Sequence, residues 1–199
     1  MLTLREFITT YDKEDAIVLL EGKREVLDND RNKLEALGKL LVTNTSKMIL
    51  RSGNATGADL YFSKGILSID SSRLQVVTPY SGHRKKSNLS NQTYSLSDID
   101  LTDEDAVVFK SKRNKKMEKL IDLYVAGDRN ALAMKAAYII RDTIKVLGTT
   151  EIKPATFGIF YDDLRKPFSG GTGHTMKVCE QNSIPIINQN IWFEWLRSD

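Results

Sequence analysis

The stretch KMILRSGNATGADLYFSKG, residues 47–65, decides the fold class, because it leads from a buried strand through a glycine-rich turn into a helix. Its apolar start, residues 48–50, predicts a strand that is covered on both faces. Gly53 and Gly57 lose backbone entropy on folding, so the turn must need the freedom that they provide. The turn is either a tight bend or a loop whose amide groups contact a phosphate.

The alternation of buried strands and helices continues in both directions from this stretch. Apolar runs and helical spacing predict strands at 16–22, 47–53, 74–79, 155–161 and 184–188, and helices at 28–45, 57–63 and 130–148. Residues 80–128 are polar and predict an insertion, with a helix beginning near Thr102. Strands that alternate with helices pair in parallel, so the sequence predicts one α/β domain over residues 1–199 with a doubly wound sheet.

Composition is typical of a globular protein of the cytoplasm, which is the expected location. The chain is 41% hydrophobic and 28% charged, and its net charge of +3 is too small to indicate nucleic-acid binding by itself. Cys179 is the single cysteine, which excludes an internal disulfide, and we expect it in the core. No secretory signal, membrane span or metal-ligand spacing is evident, so no membrane partner and no metal are expected.

A second glycine-rich turn, SGGTGHT at residues 169–175, also lies between a predicted strand and a predicted helix. Its backbone amides, its threonine hydroxyls and the positive end of the helix predict an anion site. A third loop, EGKRE at residues 21–25, places Lys23 and Arg24 after the first strand, where they would neutralise a phosphate. In open α/β sheets such loops meet at the carboxyl ends of the strands.

With these three loops the chain resembles the SLOG superfamily, and within it the YspA-like and molybdenum-cofactor-carrier branch. That branch carries Gly-Ser-Arg, Ser-Gly-Gly-x-x-Gly-Ala-Asp and Gly-Gly-Thr-x-x-Thr in the corresponding loops. The resemblance covers about half of the chain and leaves out residues 80–128. It implies a Rossmann-like fold, a pocket for a nucleotide or nucleotide-derived ligand, and a homodimer or higher homo-oligomer.

The resemblance also leaves the catalytic carboxylate of some relatives unmatched. The Lonely-guy phosphoribohydrolases of this superfamily carry Pro-Gly-Gly-x-Gly-Thr-x-x-Glu, whose glutamate is catalytic. Here Ser169 replaces the proline, His174 the threonine and Lys177 the glutamate. Binding is therefore implied more directly than hydrolysis, and Asp59 and Glu180 are the candidate catalytic carboxylates.

The predicted ligand-binding residues come from all three loops. They are Gly22, Lys23, Arg24, Ser52, Gly53, Asn54, Gly57, Asp59, Ser169, Gly170, Gly171, Thr172, Gly173, His174 and Thr175. Two of them have an alternative structural interpretation. Asp59 either contacts a ribose or base, or acts as a general base, or bonds the start of its helix in a Thr56-x-x-Asp59 capping box. His174 either contacts the ligand or makes a structural hydrogen bond.

Three functions remain open at this point. The first is binding of a nucleotide-derived small molecule by a sensor, carrier or sequestering protein, as in nucleotide signalling or phage–bacteria conflict; no other cofactor is expected. The second is cleavage of the N-glycosidic bond of a nucleoside monophosphate. The third is single-stranded DNA binding, as in the relative DprA, through the basic segments 84–86 and 110–116.

Two further expectations concern packing. A stripe of alanines on the predicted helix 130–148 would let a second copy approach closely; its members are Ala131, Ala133, Ala136 and Ala137. Trp192 and Trp195 are expected to pack on the sheet or on a partner subunit.

Overall fold

A computed structural model describes residues 1–88, 90–112 and 115–197. Within these ranges, six parallel strands form one sheet in the order β4-β3-β2-β1-β5-β6. The strands are β1 (Ile17–Gly22), β2 (Ile49–Ser52), β3 (Leu74–Thr78), β4 (Gln92–Ser95), β5 (Phe157–Tyr161) and β6 (Ile186–Asn188). The predicted α/β, Rossmann-like fold class is confirmed.

Eight α-helices surround the sheet in the described part of the chain. They are α1 (Leu4–Tyr11), α2 (Asp28–Asn44), α3 (Ala58–Leu67), α4 (Asp105–Ser111), α5 (Lys115–Val125), α6 (Ala131–Leu147), α7 (Gly170–Gln181) and α8 (Gln189–Trp195). Helix α3 runs past the predicted end at residue 63 because Phe62 and Ile66 both pack in the core. Helix α4 begins after Thr102, since residues 101–103 form a separate 3-10 turn whose start is capped by the Asp100 side chain.

The two faces of the sheet are covered by different helices because side chains alternate along each strand. Val18 and Leu20 pack in a core with α1, α2, α3 and α8, whereas Leu19 packs in a second core with α7. Glu21 shares the parity of Leu19, so it points toward the same face as α7. Its contacts with α6, described below, lie on that face.

The predicted insertion at 80–128 joins the sheet rather than leaving it, which corrects the sequence-based expectation. Strand β4 pairs with β3 in parallel at the sheet edge, with Val76 opposite Thr93. An edge strand has one solvated side and needs no continuous apolar run. The polar residues of β4 therefore did not indicate a strand in the sequence. Helices α4 and α5 then pack against α6 around Val107, Ile121 and Ile140.

The alanine stripe on α6 is covered within the chain. Ala133, Ala136 and Ala137 are fully buried in the core that α6 forms with α4 and α5, and only Ala131 is exposed. These alanines therefore offer no surface to a second copy, and a homo-oligomer stays a prediction without them. No helix in the described ranges is long and apolar enough to cross a membrane.

Both tryptophans pack on the sheet, one of the two alternatives predicted. Trp192 is fully buried and donates its indole N–H to the carbonyl of Phe160 at 3.0 Å. Trp195 donates in the same way to the carbonyl of Leu2 at 2.9 Å, which attaches the start of the chain to α8. Satisfied indole donors are what allow these large rings to be buried.

Candidate ligand-binding site

A cavity of about 540 Å³ opens where β1 and β5 end side by side. Strands β1 to β4 follow one another in one direction across the sheet, whereas β5 and β6 lie on the other side of β1. This reversal is a topological switch point, the usual ligand position in open α/β sheets. Its wall consists of residues 21–25, the start of α7, and side chains from α3 and α6. We call this space the switch-point cavity.

The start of α7 forms one wall of the switch-point cavity. Ser169, Gly170, Gly171 and Thr172 line it, and the Ser169 side chain makes no capping hydrogen bond. The first amides of a helix lack partners within the helix, and the first turn of α7 contains no acidic side chain that would neutralise the dipole. The predicted anion site at residues 169–172 thus faces an open cavity.

Helix α7 begins earlier than the sequence suggested, because Gly173 to Thr175 are helical and not part of a turn. Gly173 donates its amide to the Ser169 carbonyl at 2.9 Å, and a Cβ at this position would collide with the Phe168 backbone. The role of Gly173 is therefore close packing of the helix start on the preceding loop. Glycine at position 170 has φ +62°, a conformation that lets the chain turn into the helix.

Asp59 organises the two loops that approach the cavity from β1 and β2. Its carboxylate accepts hydrogen bonds from the amides of Gly22 at 3.1 Å, Gly53 at 3.2 Å and Ala55 at 3.2 Å. The capping-box interpretation is wrong, since Gly57 is the N-cap of α3 and no side chain caps it. Asp59 lines the cavity as well. Its main contacts, however, hold the loops in place.

The hydrogen-bonding groups of the turn at residues 52–57 are consequently used by contacts within the protein. Two of its amides bind Asp59, and the Gly53 carbonyl accepts from the Arg141 guanidinium at 2.5 Å. Gly57 has φ +82°, and a Cβ there would collide with the backbone of Arg24. These glycines therefore allow close packing of two loops. Only Ala55 of this turn lines the cavity.

The cavity floor contains a buried charge cluster from β1 and α6. The Lys145 ammonium lies 2.6 Å from Glu21 Oε2 and 2.8 Å from Asp142 Oδ1, and Arg141 Nε lies 3.1 Å from the same Asp142 oxygen. Burial, together with the nearby Asp59 and Asp142 carboxylates, raises the pKa of Glu21 to about 7, although the Lys145 ammonium acts to lower it. Burial opposes ionisation of Asp142 too, but Lys145 and Arg141 lower its pKa. The cluster thus holds a carboxyl group that can exchange a proton near neutral pH.

Lys23 and Arg24 lie at the cavity mouth as predicted. The Lys23 ammonium is 5.6 Å from the ring centroid of Tyr161, and Arg24 is exposed. Within the described residues, neither cation forms an ion pair with a carboxylate. Both are therefore available to a negatively charged ligand.

The structure brings eight of the predicted ligand-binding residues to the wall of the switch-point cavity. They are Gly22, Lys23, Arg24, Asp59, Ser169, Gly170, Gly171 and Thr172. The remaining predicted residues do not line this cavity: Ser52, Gly53, Asn54, Gly57, Gly173, His174 and Thr175. His174 is buried, with Nε2 3.1 Å from Thr143 Oγ1, in accordance with its structural interpretation.

The structure places the catalytic candidate Glu180 and the single cysteine, Cys179, away from the lining of the cavity. Glu180 is exposed near the end of α7, and the described lining does not include it. Cys179 is fully buried, and burial raises the pKa of its thiol to about 12. Its expected place in the core is confirmed.

Helix α6 supplies Tyr138, Arg141, Asp142 and Lys145 to the cavity, and none of these residues was predicted from the sequence. A signal was present, because these residues recur at helical spacing on a helix whose other face is apolar. Charged residues in such positions are normally solvated, so the pattern alone does not separate a surface from a site. Their burial identifies them.

Neither of the basic segments that suggested DNA binding, 84–86 and 110–116, lines the switch-point cavity in the described part of the chain. Lys110 lies in the last turn of α4, Lys112 follows that helix, Lys115 and Lys116 begin α5, and Arg113 lies outside the described residues. Lys112 is paired with Asp122 at 2.6 Å. Single-stranded DNA binding through these segments stays a prediction.

The likeness of this chain to known proteins is structural and distant. No protein-family model matches the chain. No curated protein matches it either. One similar solved structure is that of DNA processing protein A from Helicobacter pylori, described for its single-stranded DNA binding mode, with 12% identity, a TM-score of 0.47, and coverage of 90% of this chain and 67% of that chain. Such a likeness identifies neither family nor ligand, so the SLOG assignment stays a prediction.

Proposed function

We propose that this protein binds a nucleotide or nucleotide-derived small molecule in the switch-point cavity. One observation carries the proposal: the start of α7, which no side chain caps, opens on a cavity of about 540 Å³. Lys23 and Arg24 line the same cavity, and neither forms an ion pair with a carboxylate in the described residues. A volume of this size suits a nucleoside with its phosphate. The phosphate would accept hydrogen bonds from the first amides of α7 while the two cations neutralise its charge.

The rest of the cavity favours a sugar and a base over a bare inorganic anion. The carboxyl oxygens of Glu21 and Asp142, which line the cavity, can accept hydrogen bonds from ribose hydroxyls. Tyr138 and Ile139 add an aromatic and an aliphatic side chain to the wall. Aromatic faces bind nucleobases by stacking.

Gly171→Val tests the proposal directly. Residue 171 is exposed at the cavity, has no positive φ, and a Cβ there would approach only Asp142 Oδ2, at 3.3 Å. We expect the variant to fold normally and to lose nucleotide affinity by about tenfold or more, since valine blocks the helix amides. Ala131→Val, at the exposed start of α6, also ends in a valine side chain but lies away from the cavity lining, and should leave affinity unchanged.

The measurement begins with native mass spectrometry of protein purified from cells, which identifies a retained ligand, followed by calorimetric titration of that ligand. A melting curve for each variant separates lost binding from lost stability. If Gly171→Val folds normally and binds with wild-type affinity, the phosphate is not at α7 and the proposal is wrong.

A second candidate function, cleavage of an N-glycosidic bond in the bound nucleotide, is favoured by Glu21. Its carboxyl lines the cavity, its Oε1 has no hydrogen-bond partner in the described residues, and its pKa of about 7 keeps part of the population protonated at neutral pH. Glu21 would then take the role predicted for Asp59 or Glu180. The C1′–N bond would break with its electron pair passing to the base, which takes the Glu21 proton, while water adds to C1′ and returns a proton to Glu21.

Chromatography of nucleoside monophosphates incubated with the protein decides between binding and hydrolysis. Release of free base that disappears in Glu21→Gln and declines as pH rises through about 7 supports the enzyme. If the wild-type protein releases no free base from the nucleotide, hydrolysis is excluded and binding is the function.

A further inference from the structure

A second cavity, of about 300 Å³, adjoins the switch-point cavity on the side of β3. We call it the arginine cavity. Its wall includes Arg24, Arg84, Arg141, His83, Tyr80 and Tyr138. Two of the arginines, Arg24 and Arg141, line the switch-point cavity too. One ligand can therefore contact both spaces at once.

The positive charge in the arginine cavity is only partly compensated by carboxylates in the described residues. No aspartate or glutamate is among the described residues that line it. Arg141 is partly neutralised by Asp142, but in the described part of the chain Arg24 and Arg84 have no carboxylate partner. Guanidinium groups that converge on a partly enclosed space repel one another, and an anion with several oxygens removes that repulsion.

His83 gives an independent indication of a ligand. Only 8% of its surface is exposed, and its Nδ1 has no hydrogen-bond partner among the described residues. The imidazole stands edge-on to Tyr80, at 4.9 Å between ring centroids, and to Tyr138, at 5.8 Å. A buried polar atom without a partner costs free energy, so a ligand atom that pairs with it is favoured.

The protonation state of His83 reflects the same surroundings. Burial, together with the cations of Arg141, Arg84 and Arg24, lowers the pKa of His83 to about 4. The groups that face it from the neighbouring elements are these three arginines and the phenols of Tyr80 and Tyr138. An anion bound among the arginines would offset their charge and raise the pKa of His83 again.

We infer that the arginine cavity is a second phosphate subsite, so the ligand is a nucleotide with phosphate groups at two separate positions. This inference rests on the proposed function for the identity of the ligand. One phosphate lies at the start of α7, and the other lies among Arg24, Arg84 and Arg141. The nucleoside between them occupies the shared part of the two cavities beside Tyr138.

The subsite is tested first with inorganic phosphate, which needs no knowledge of the base. The chain contains two histidines, His83 and His174, so imidazole NMR spectra of labelled protein report both separately. Phosphate in the arginine cavity should shift the His83 signals and raise the pKa of His83, whereas the His174 signals report phosphate at the start of α7. Arg84→Gln should abolish the shift. Lys86→Gln removes the same charge from an exposed neighbouring position and should leave it intact.

The ligand class is tested by calorimetry with adenosine 5′-monophosphate and adenosine 3′,5′-bisphosphate. Arg84 lines the arginine cavity and is not among the residues of the switch-point cavity. Arg84→Gln should therefore weaken bisphosphate binding about tenfold or more and leave monophosphate binding unchanged, since a lost charge-assisted hydrogen bond has that effect. Lys86→Gln should bind both as the wild type does.

The outcomes separate the two hypotheses. If phosphate does not shift the His83 signals, the subsite hypothesis is wrong. It is also wrong if Arg84→Gln weakens the binding of the monophosphate and of the bisphosphate by the same factor. A His83 shift with phosphate, combined with no binding of either nucleotide, overturns the nucleotide ligand and the proposed function with it, but not the anion site. An Arg84-dependent shift with single-stranded DNA and none with the bisphosphate overturns the small ligand in favour of a polynucleotide.

Discussion

Lys145 on α6 places its ammonium 2.6 Å from Glu21 Oε2 at the end of β1, and both side chains are almost completely buried. The same ammonium lies 2.8 Å from Asp142. One cation thus serves two carboxylates, and the second carboxylate also has Arg141. This unequal sharing explains why the pKa of Asp142 falls while that of Glu21 rises.

Glu21 should make stability depend on pH in a recognisable way. Its pKa is about 7 in the fold and 4.5 ordinarily, so between these values the unfolded chain releases a proton that the folded protein keeps. Its contribution is fully present below pH about 4.5 and is lost as pH rises through about 7. We expect a decrease in the free energy of unfolding on the order of 2 kcal/mol across this window.

Urea denaturation at several pH values measures this dependence, and Glu21→Gln removes the titrating group. The variant should show a flatter profile between pH 4.5 and 7. Glu25→Gln, an exposed change of the same kind at the cavity mouth, should keep the wild-type slope. An unchanged slope in Glu21→Gln would mean that Glu21 is ionised throughout.

Asp59→Asn should destabilise the protein and disorder the cavity mouth. An amide has one acceptor oxygen and presents N–H groups where the carboxylate accepted three backbone amides. We expect a loss of about 2 kcal/mol, because at least one buried amide loses its partner. Chemical denaturation gives the value, and hydrogen exchange at Gly53 and Ala55 should accelerate. Slow exchange at both residues in the variant would contradict this role.

Gly57→Ala should cost more stability than a strained turn alone explains. Residue 57 has φ +82°, and the added methyl would collide with the Arg24 backbone. Gly127 has φ +99° with open space around it, so Gly127→Ala carries the conformational strain without the collision. We expect about 1 kcal/mol for Gly127→Ala and at least twice that for Gly57→Ala. Equal melting temperatures for the two variants would show that the loop at residue 57 can move away from the Arg24 backbone without loss of stability.

Arg51→Met should loosen α6 from the sheet. The fully buried guanidinium donates to Gln75 Oε1 at 2.5 Å and to the carbonyls of Lys145 at 2.8 Å and Lys153 at 2.7 Å. Methionine leaves these acceptors unpaired, and a loss of about 3 kcal/mol is expected from denaturant midpoints.

Arg73→Met is the matched control for that change. Arg73 is buried and donates to the carbonyls of Met48 and Thr45 and to the Thr45 hydroxyl, on the far side from the cavity. It should lose comparable stability but keep nucleotide affinity at a temperature where both variants are folded. Arg51→Met should lose affinity as well, because Lys145 moves with its helix. Equal affinities would show that Arg51 does not position the site.

The sequence by itself determined the order of strands and helices around β1, β2 and β3, the glycine-rich start of α7, and the position of the cations Lys23 and Arg24 after β1. These features rest on local patterns: continuous apolar runs, helical spacing, and glycines at the ends of strands. Each depends on residues that are neighbours in the chain, so periodicity and turn chemistry are sufficient to reveal them.

Only the tertiary structure decided which groups complete the cavity. The glycine turn at residues 52–57 looks like a phosphate loop from its residue types, but the amides of Gly53 and Ala55 donate to Asp59, and Gly57 packs closely against Arg24. Glu21 and Lys145 lie far apart in sequence, and their pairing follows from packing α6 across the sheet. Burial then changes the chemistry of these side chains, because removal of water makes charge expensive and raises the pKa of a carboxyl that would otherwise be ionised.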